Sequence, residues 1–490
     1  MTYNEYANLF LEGSQIPCLI HHMSGGADYR FKVYYPWELG QTIPNNVTTL
    51  TPREILTPLY GFDGFLCEMS ANHAFIMIPR WEDPTFDTHL CWIPTNEVGD
   101  AVHYIPPEGW IYDMATVSDN EVYIIVEDYI ENVQDIMRLQ KITFTDNDVT
   151  TENIYSWEYY DIWEGSIYGI WDNIHTLHVK YGAYDCIYLF WLYMLDEGDG
   201  FDYVCRSIVY NIATGQVFDN WVKLFDYNAD LYSLYYQHTT ATIHNNLIVF
   251  GVCCENGLWD NYNPPYYPAP QIEIVMVDII NGNITILNNI LKDPEYWYID
   301  GGALDYTNNK YYFSAWYEAN GCSSVYSVNL NNPIAILDEE ISLPLSLAFG
   351  TYDQGHNRGY LFDEPSSSSM PGMAPFYDFP NLNYIDEIYL SLVKGWGDGG
   401  ALYREMDMDN NIVWNLQLDK LEGKSLNGGI SRDIPIEPPL SFFYPIGGPP
   451  FNNWNRMAYL RILDGKCIVL IYSRTDIIPY EYSQRWYLLE

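Results

Sequence analysis

The chain has 490 residues, enough for two or three average domains or one large repetitive one. It sets 65 Asp and Glu against 22 Lys and Arg, a formal charge of −43, which excludes nucleic-acid readout through a basic, phosphate-neutralising footprint. With 48% hydrophobic and 17% aromatic residues it has ample material for a core, which excludes a disordered chain. No apolar run approaches the roughly 18 residues of a membrane span. The segment from Met1 to Gly13 holds acids and no basic region, so no secretory leader is expected and synthesis is expected in a cytoplasm.

The nine cysteines, at 18, 67, 91, 186, 205, 253, 254, 322 and 467, are odd in number, form no CxxC and mostly sit in apolar runs. They read as buried small hydrophobes in a reducing compartment. Cys253 and Cys254, adjacent on a strand, point to opposite faces and cannot share a metal.

In chain order, the first expected element is an alternating strand, Tyr29 to Tyr35. Thereafter a polar turn followed by a short β-branched and aromatic run recurs seven times. Asn72-His73 precedes AFIMI, Asn120-Glu121 precedes VYIIV, and Asp185 precedes CIYLF. Asn245-Asn246 precedes LIVFG, Asn309-Lys310 precedes YYFSAW, Asp386-Glu387 precedes IYLSLV, and Gly465-Lys466 precedes CIVLIY. Markers 72, 120, 185, 246, 309, 386 and 465 are separated by 48, 65, 61, 63, 77 and 79 residues. Asn and Asp tolerate the left-handed conformation of tight hairpins, so each unit reads as strand, turn, strand.

A second motif follows: apolar, polar, apolar, then a turn and another strand. Its polar members are Thr143, Asn211, Asp278, Asn329 and Asp407, which trail their markers by 23, 26, 32, 20 and 21 residues. Two coupled hairpins per unit make four strands. A sandwich or jelly roll would space strands evenly without this two-level repeat.

This pattern resembles the β-propeller superfamily over almost the whole chain, without the signature of the WD40 or kelch subfamilies. The resemblance implies an all-β, seven-bladed β-propeller of four-stranded antiparallel blades, one domain over 1–490 with blades from about residue 60. Long loop insertions are expected at about 364–384 and 425–454. The last unit supplies only three strands, near 456–463, 467–472 and 485–489. The strand at 29–35, within an N-terminal segment of about 16–38, is expected to pair with the C-terminal blade and close the ring.

In such a blade the first and third turns share one face and are short here, whereas the connections on the other face are long and aromatic. They contain Trp157, Trp163, Trp171, Trp259, Tyr266, Tyr267, Trp297 and Trp454, the candidate binding residues. Long loops on a rigid scaffold concentrate function. Rings beside carboxylates suit a protein interface, where Trp and Tyr form hot spots, or the apolar face of a sugar. Their spread around the ring favours protein contact over a convergent sugar pocket.

No catalytic residue and no metal or other cofactor is expected. The acidic run Asp196 to Asp202 lacks the spacing and terminal Glu of an EF-hand loop. His21-His22 and His175/His178 have the wrong phase on strands for a shared ion. Glu405, Asp407 and Asp409 form an acidic strand face, and no hydrolase, zincin or nucleotide-binding motif stands in a usable context. Length, acidity and richness in Tyr and Asn resemble propeller-type tail and nozzle proteins of tailed bacteriophages. That resemblance implies a non-enzymatic virion structural protein of the tail or particle surface, made in the host cytoplasm. Its expected partners are other structural proteins or copies of itself in a ring, with no sequence-specific nucleic acid and no membrane. The alternative is a glycan-binding or glycan-cleaving propeller acting through the aromatic and acidic loops.

Overall fold

The computed structural model describes the strands given below with several of their turns. Residues 1–18, 23–30, 35–42, 55–65, 160–174, 225–233, 257–270, 391–402 and 441–456 are among those outside the description. Strands β1 (Leu19–His22) and β2 (Phe31–Tyr34) form a hairpin, and β3 is Pro52–Glu54. Sheet I contains β4 (Leu66–Met69), β5 (His73–Pro79), β6 (Thr88–Pro94) and β7 (Val102–Tyr104). Sheet II contains β8 (Trp110–Ser118), β9 (Glu121–Asp128), β10 (Asp135–Thr145) and β11 (Asp148–Tyr159). Sheet III contains β12 (His175–Tyr181), β13 (Tyr184–Asp196), β14 (Phe201–Asn211) and β15 (Val217–Lys223). Sheet IV has a divided first strand, β16 (Leu234–His238) and β17 (Thr242–His244), then β18 (Leu247–Asn256), β19 (Gln271–Asp278) and β20 (Ile284–Lys292).

Sheet V contains β21 (Tyr296–Asp305), β22 (Lys310–Tyr317), β23 (Cys322–Asn329) and β24 (Leu337–Leu343). Sheet VI contains β25 (Leu347–Asp353), β26 (Arg358–Asp363), β27 (Gly372–Phe379) and β28 (Tyr384–Leu390). Sheet VII contains β29 (Tyr403–Asp407), β30 (Ile412–Leu416), β31 (Lys420–Ser425) and β32 (Arg432–Pro435). Sheet VIII joins β33 (Met457–Leu463), β34 (Lys466–Arg474) and β35 (Tyr482–Leu489) to β3. All pairings within these sheets are antiparallel.

Apart from the run after Asp386, the apolar runs behind the turn markers are second strands, and those of sheets I to V are buried on both faces. Alternate residues of β9 enter different cores: Val122, Ile124 and Val126 pack with Phe75 and Trp92 of sheet I, whereas Tyr123 and Ile125 pack with Leu189 and Trp191 of sheet III. Strand β13 repeats the pattern, with Tyr188 and Phe190 turned toward Phe250 of sheet IV. A strand sandwiched this way reads as a continuous hydrophobic run rather than an alternating one. Truncating Ile124 or Ile125 to Ala would cost about 2–5 kcal/mol. Cys91, Cys186 and Cys205 are free and buried in these layers. Burial pushes their thiols up to about 12, 11 and 12 respectively.

One recurring bond couples the two sequence motifs. The backbone carbonyl at the first turn accepts an amide N–H at or just past the end of the third strand: Phe144 to Asn120, Ile212 to Asp185, Leu330 to Asn309 and Leu426 to Asn411, all at 2.8–2.9 Å. The second motif's polar residue then caps the third turn. Asp278 Oδ1 accepts from the Ile280 amide at 2.8 Å and Asn211 Oδ1 from the Thr214 amide at 3.0 Å, an Asx-turn arrangement.

Three sequence expectations are corrected. Among the described residues there are eight such sheets, seven of four strands and sheet IV of five through its divided first strand, where the repeat indicated seven units. The marker Asp386 lies on β28, an outer strand, and Asp407 ends a first strand rather than a third, so sheet VII had been divided between two units. The spans taken as loop insertions at 364–384 and 425–454 contain β27 and β32. Finally, β2 within 29–35 pairs with β1, and the strand that completes sheet VIII is β3. Residues 52–54 have no apolar run to reveal them. Backbone bonds Leu50 N to Pro435 O at 2.8 Å and Thr51 N to Glu490 O at 2.9 Å seat them. Leu50 is buried with Trp414 and Tyr487.

Arg432 reinforces this seat. Its guanidinium donates to the carbonyl of Ile43 at 3.1 Å and to that of Val47, while lying 5.9 Å from the Trp414 ring. The segment from 43 to 54 therefore runs between sheets VII and VIII.

Candidate binding site

Three acids of sheets I and II are bonded across to a neighbouring sheet. Glu68 Oε2 on β4 accepts from the Thr116 amide on β8 at 2.5 Å, and Asp113 Oδ2 on β8 accepts from the Thr176 amide on β12 at 2.6 Å. Asp119 takes both the backbone and the side-chain N–H of Asn72, at 3.0 and 2.6 Å. Burial opposes the Asp119 charge, but the bonds from Asn72 and Ser70 prevail and hold its carboxyl below the usual range. These acids tie one sheet to the next. No cluster of three or more metal-ligating side chains occurs among the described residues.

A different group of residues faces outward where sheets II and III meet. The register of sheet III aligns Trp191 with Arg206, and Arg206 with Trp221, across β13, β14 and β15. Trp191 is 3% exposed and Trp221 is 60% exposed, so the row runs from the core to solvent. Arg206 lies 5.4 Å from the Trp191 ring and grips Asp219 with two bonds, at 2.9 and 2.7 Å. From sheet II the Tyr155 hydroxyl donates to Asp219 Oδ2 at 3.0 Å. Burial, then the adjoining Asp219 carboxylate, pushes the Tyr155 phenol up. Trp157 stands 5.6 Å from Trp191 and 6.0 Å from Tyr155, ring centre to ring centre.

The Arg206 fork, fixed by a bidentate carboxylate and an aromatic face, is a rigid support. It leaves Trp221 as a flat apolar surface between Asp219 and Lys223 on the same side of β15. Of the residues expected from the sequence, Trp157 is here, on β11 rather than in a long connection, and is 5% exposed in the layer between sheets II and III. Trp297 lies on β21. Trp163, Trp171, Trp259, Tyr266, Tyr267 and Trp454 lie outside the described residues, as do 197–200 of the acidic run.

The sequence reading missed Trp191, Arg206, Asp219 and Trp221. A signal was present: in VFDNWVK, Trp221 shares the phase of Asp219 and Lys223. A large aromatic in the polar phase of an alternating strand is an exposed one.

Successive antiparallel meanders of four strands, stacked face to face, define a β-propeller-like fold. No protein-family model matches the chain, and no curated protein matches it. Among solved structures it is similar to the β-propeller domain of the Trilobed protease from Pyrococcus furiosus, with 9% identity, a TM-score of 0.36 and coverage of 78% of this chain and 95% of that one. It is also similar to oligogalacturonate lyase from Vibrio parahaemolyticus, with 11% identity, a TM-score of 0.37 and coverage of 76% and 94%. Prolyl oligopeptidase B from Galerina marginata has 13% identity and a TM-score of 0.35. That match covers 66% of this chain and spans less than half, 41%, of the peptidase.

Proposed function

We propose that the chain is a non-enzymatic scaffold whose eight sheets close into one ring through the pairing of β3 with β35, and that it assembles with other proteins. The supporting observation is the row ending in Trp221, an exposed indole paired across the strands with Arg206, which Asp219 and, through it, Tyr155 of the next sheet fix in place. Rigid aromatic anchors of this kind dominate protein interfaces because they contribute large contact area at low entropic cost. The strong negative charge keeps such a particle soluble and repels nucleic acid. With the compositional likeness to bacteriophage tail and nozzle proteins, this supports a place on a virion tail or surface, with further copies or other structural proteins as partners.

The test is the solution mass of the purified chain by light scattering at two salt concentrations, alongside Trp221→Ala. The expected result is a defined oligomer that Trp221→Ala weakens by about tenfold, or about 1.4 kcal/mol, in dissociation constant. A monomer at every concentration, with Trp221→Ala losing affinity on a glycan array instead, would overturn the protein-contact reading in favour of a sugar platform.

A further inference from the structure

Two Asn–Gly pairs lie wholly within the described residues, and the fold treats them in opposite ways. Asn427-Gly428 is the turn between β31 and β32. Both residues have positive φ, 59° and 68°, and the Gly429 N–H donates to the Leu426 carbonyl at 3.4 Å, the pattern of a type I′ turn. Both are exposed, and a Cβ at Gly428 would meet nothing within 4 Å. Among the described residues the Asn427 carboxamide and the Gly428 N–H have no hydrogen-bond partner. The bond this pair does make runs from the Asn427 backbone N–H to Asp386 Oδ2 of sheet VI, at 2.8 Å.

At Asn281-Gly282, in the third turn of sheet IV, the same groups are engaged. The Gly282 N–H donates to the Asp278 carbonyl at 2.7 Å, and Asn281 Oδ1 accepts from the Asn283 amide at 2.9 Å. Gly282 is buried, with Asn220 and Ser207 against it. The contrast has a chemical meaning, because the amide nitrogen after an Asn can attack that residue's Cγ and close a five-membered imide. Closure needs an unbonded N–H, a free carboxamide and rotation of the peptide plane between the two residues. Flipping that plane turns a type I′ turn into type II′. The first φ stays near +60°, its ψ moves from about +30° to about −120°, and the second φ changes sign. The new ψ brings the nitrogen round to Cγ. Glycine takes either sign of φ, and at Gly428 no neighbour obstructs the flip.

We propose that Asn427 is a site of spontaneous deamidation, whose product loosens the third turn of sheet VII from sheet VI. Hydroxide removes the Gly428 amide proton, and the nitrogen attacks Asn427 Cγ. The new C–N bond forms as the bond to the carboxamide nitrogen breaks, and that nitrogen leaves as ammonia with a proton from water. Water then adds across one of the two imide C–N bonds, giving Asp or isoAsp. Solvent water and hydroxide are the only co-reactants. Either product puts a carboxylate on the residue whose N–H Asp386 holds, and like charges disfavour each other. In isoAsp the main chain also gains a methylene, so the two-residue turn loses its register.

The experiment incubates the full chain, folded and in urea, at neutral and at mildly alkaline pH. Peptide mapping by mass spectrometry follows amide-to-acid conversion at 427 and 281, and an isoaspartyl methyltransferase labels the isoAsp product. In the folded chain Asn427 is expected to convert at least about tenfold faster than Asn281, equivalent to about 1.4 kcal/mol in barrier, and faster still at the higher pH. In urea the two rates should converge, because the contrast comes from the fold and both positions are Asn–Gly. Equal rates in the folded chain, or faster conversion at Asn281, would overturn the site. Asn427→Asp, which carries the product's charge, is expected to lower the melting temperature, and adding Asp386→Asn to recover part of the loss. Asn427→Asp melting with the wild type would overturn the loosening.

Discussion

Thr176 on β12 donates its backbone N–H to Asp113 Oδ2 on β8 at 2.6 Å, a bond between two sheets made by residues 1% and 9% exposed. Glu68 and Thr116 repeat it one sheet earlier. Sheets I and II, and sheets II and III, are thus joined by a directional bond between their first strands as well as by apolar contact. Asp113→Ala would leave the Thr176 amide buried without that acceptor. The expected cost is about 1–3 kcal/mol, measured as a lower urea midpoint with an unchanged m-value.

The third turn of sheet IV docks on sheet III. Asn220 Nδ2 donates to the Asn281 carbonyl at 2.9 Å, and a Cβ at Gly282 would meet Asn220 Nδ2 and Ser207 Oγ, each at 3.0 Å. Gly215 has the same φ, +72°, but open space around it. Gly215→Ala should therefore cost only the left-handed penalty of about 1–2 kcal/mol, and Gly282→Ala measurably more. Thermal unfolding of the two variants checks the order; equal losses would mean the turn is not docked.

Asp185, at the first turn of sheet III, accepts from His178 Nε2 at 2.7 Å. That bond outweighs partial burial and holds the carboxyl below the usual range. A carboxyl depressed in the folded state stabilises above its unfolded pKa of about 4. That contribution fades as pH falls through the lower folded value. Wild type should lose stability on acidification below about pH 4, and Asp185→Asn should show a shallower acid limb. Melting temperature against pH reads both.

Arg432 holds the segment carrying Ile43 and Val47 against sheet VII. Arg432→Met keeps much of the packing on Trp414 and deletes two charge-assisted bonds, each worth about 1.5–3 kcal/mol. Amide exchange should accelerate over 45–54 while β9 and β13 keep their protection. A uniform change across all sheets would contradict a local clamp.

What the sequence made legible was the doubly buried second strand. Runs such as VYIIV and CIYLF have no polar phase because each face meets another sheet. Sheet VII escaped for the opposite reason. Its second strand, IVWNL, includes Asn415, polar yet fully buried. The outer strand YIDEIYL of sheet VI offered a turn-like Asp386-Glu387 in its place. Strand β3 escaped because backbone bonds, which have no residue code, hold it. The row ending in Trp221 was half visible: aromatic abundance was plain, but which ring faces solvent depended on strand phase at Trp221 and on the cross-strand position of Arg206.

Strand β3 has a consequence for biosynthesis. Its partner residues, Tyr487 to Leu489, are translated more than 430 residues after Pro52 to Glu54. During translation, sheets I to VII can stack as they emerge, but sheet VIII waits for its last partner. Until then 52–54 presents an open edge, and a second nascent chain on the same message could supply the missing strand. The pairing that completes one molecule is also the point at which two molecules could exchange ends, so slow translation near residue 480 would raise the risk of a strand-swapped product.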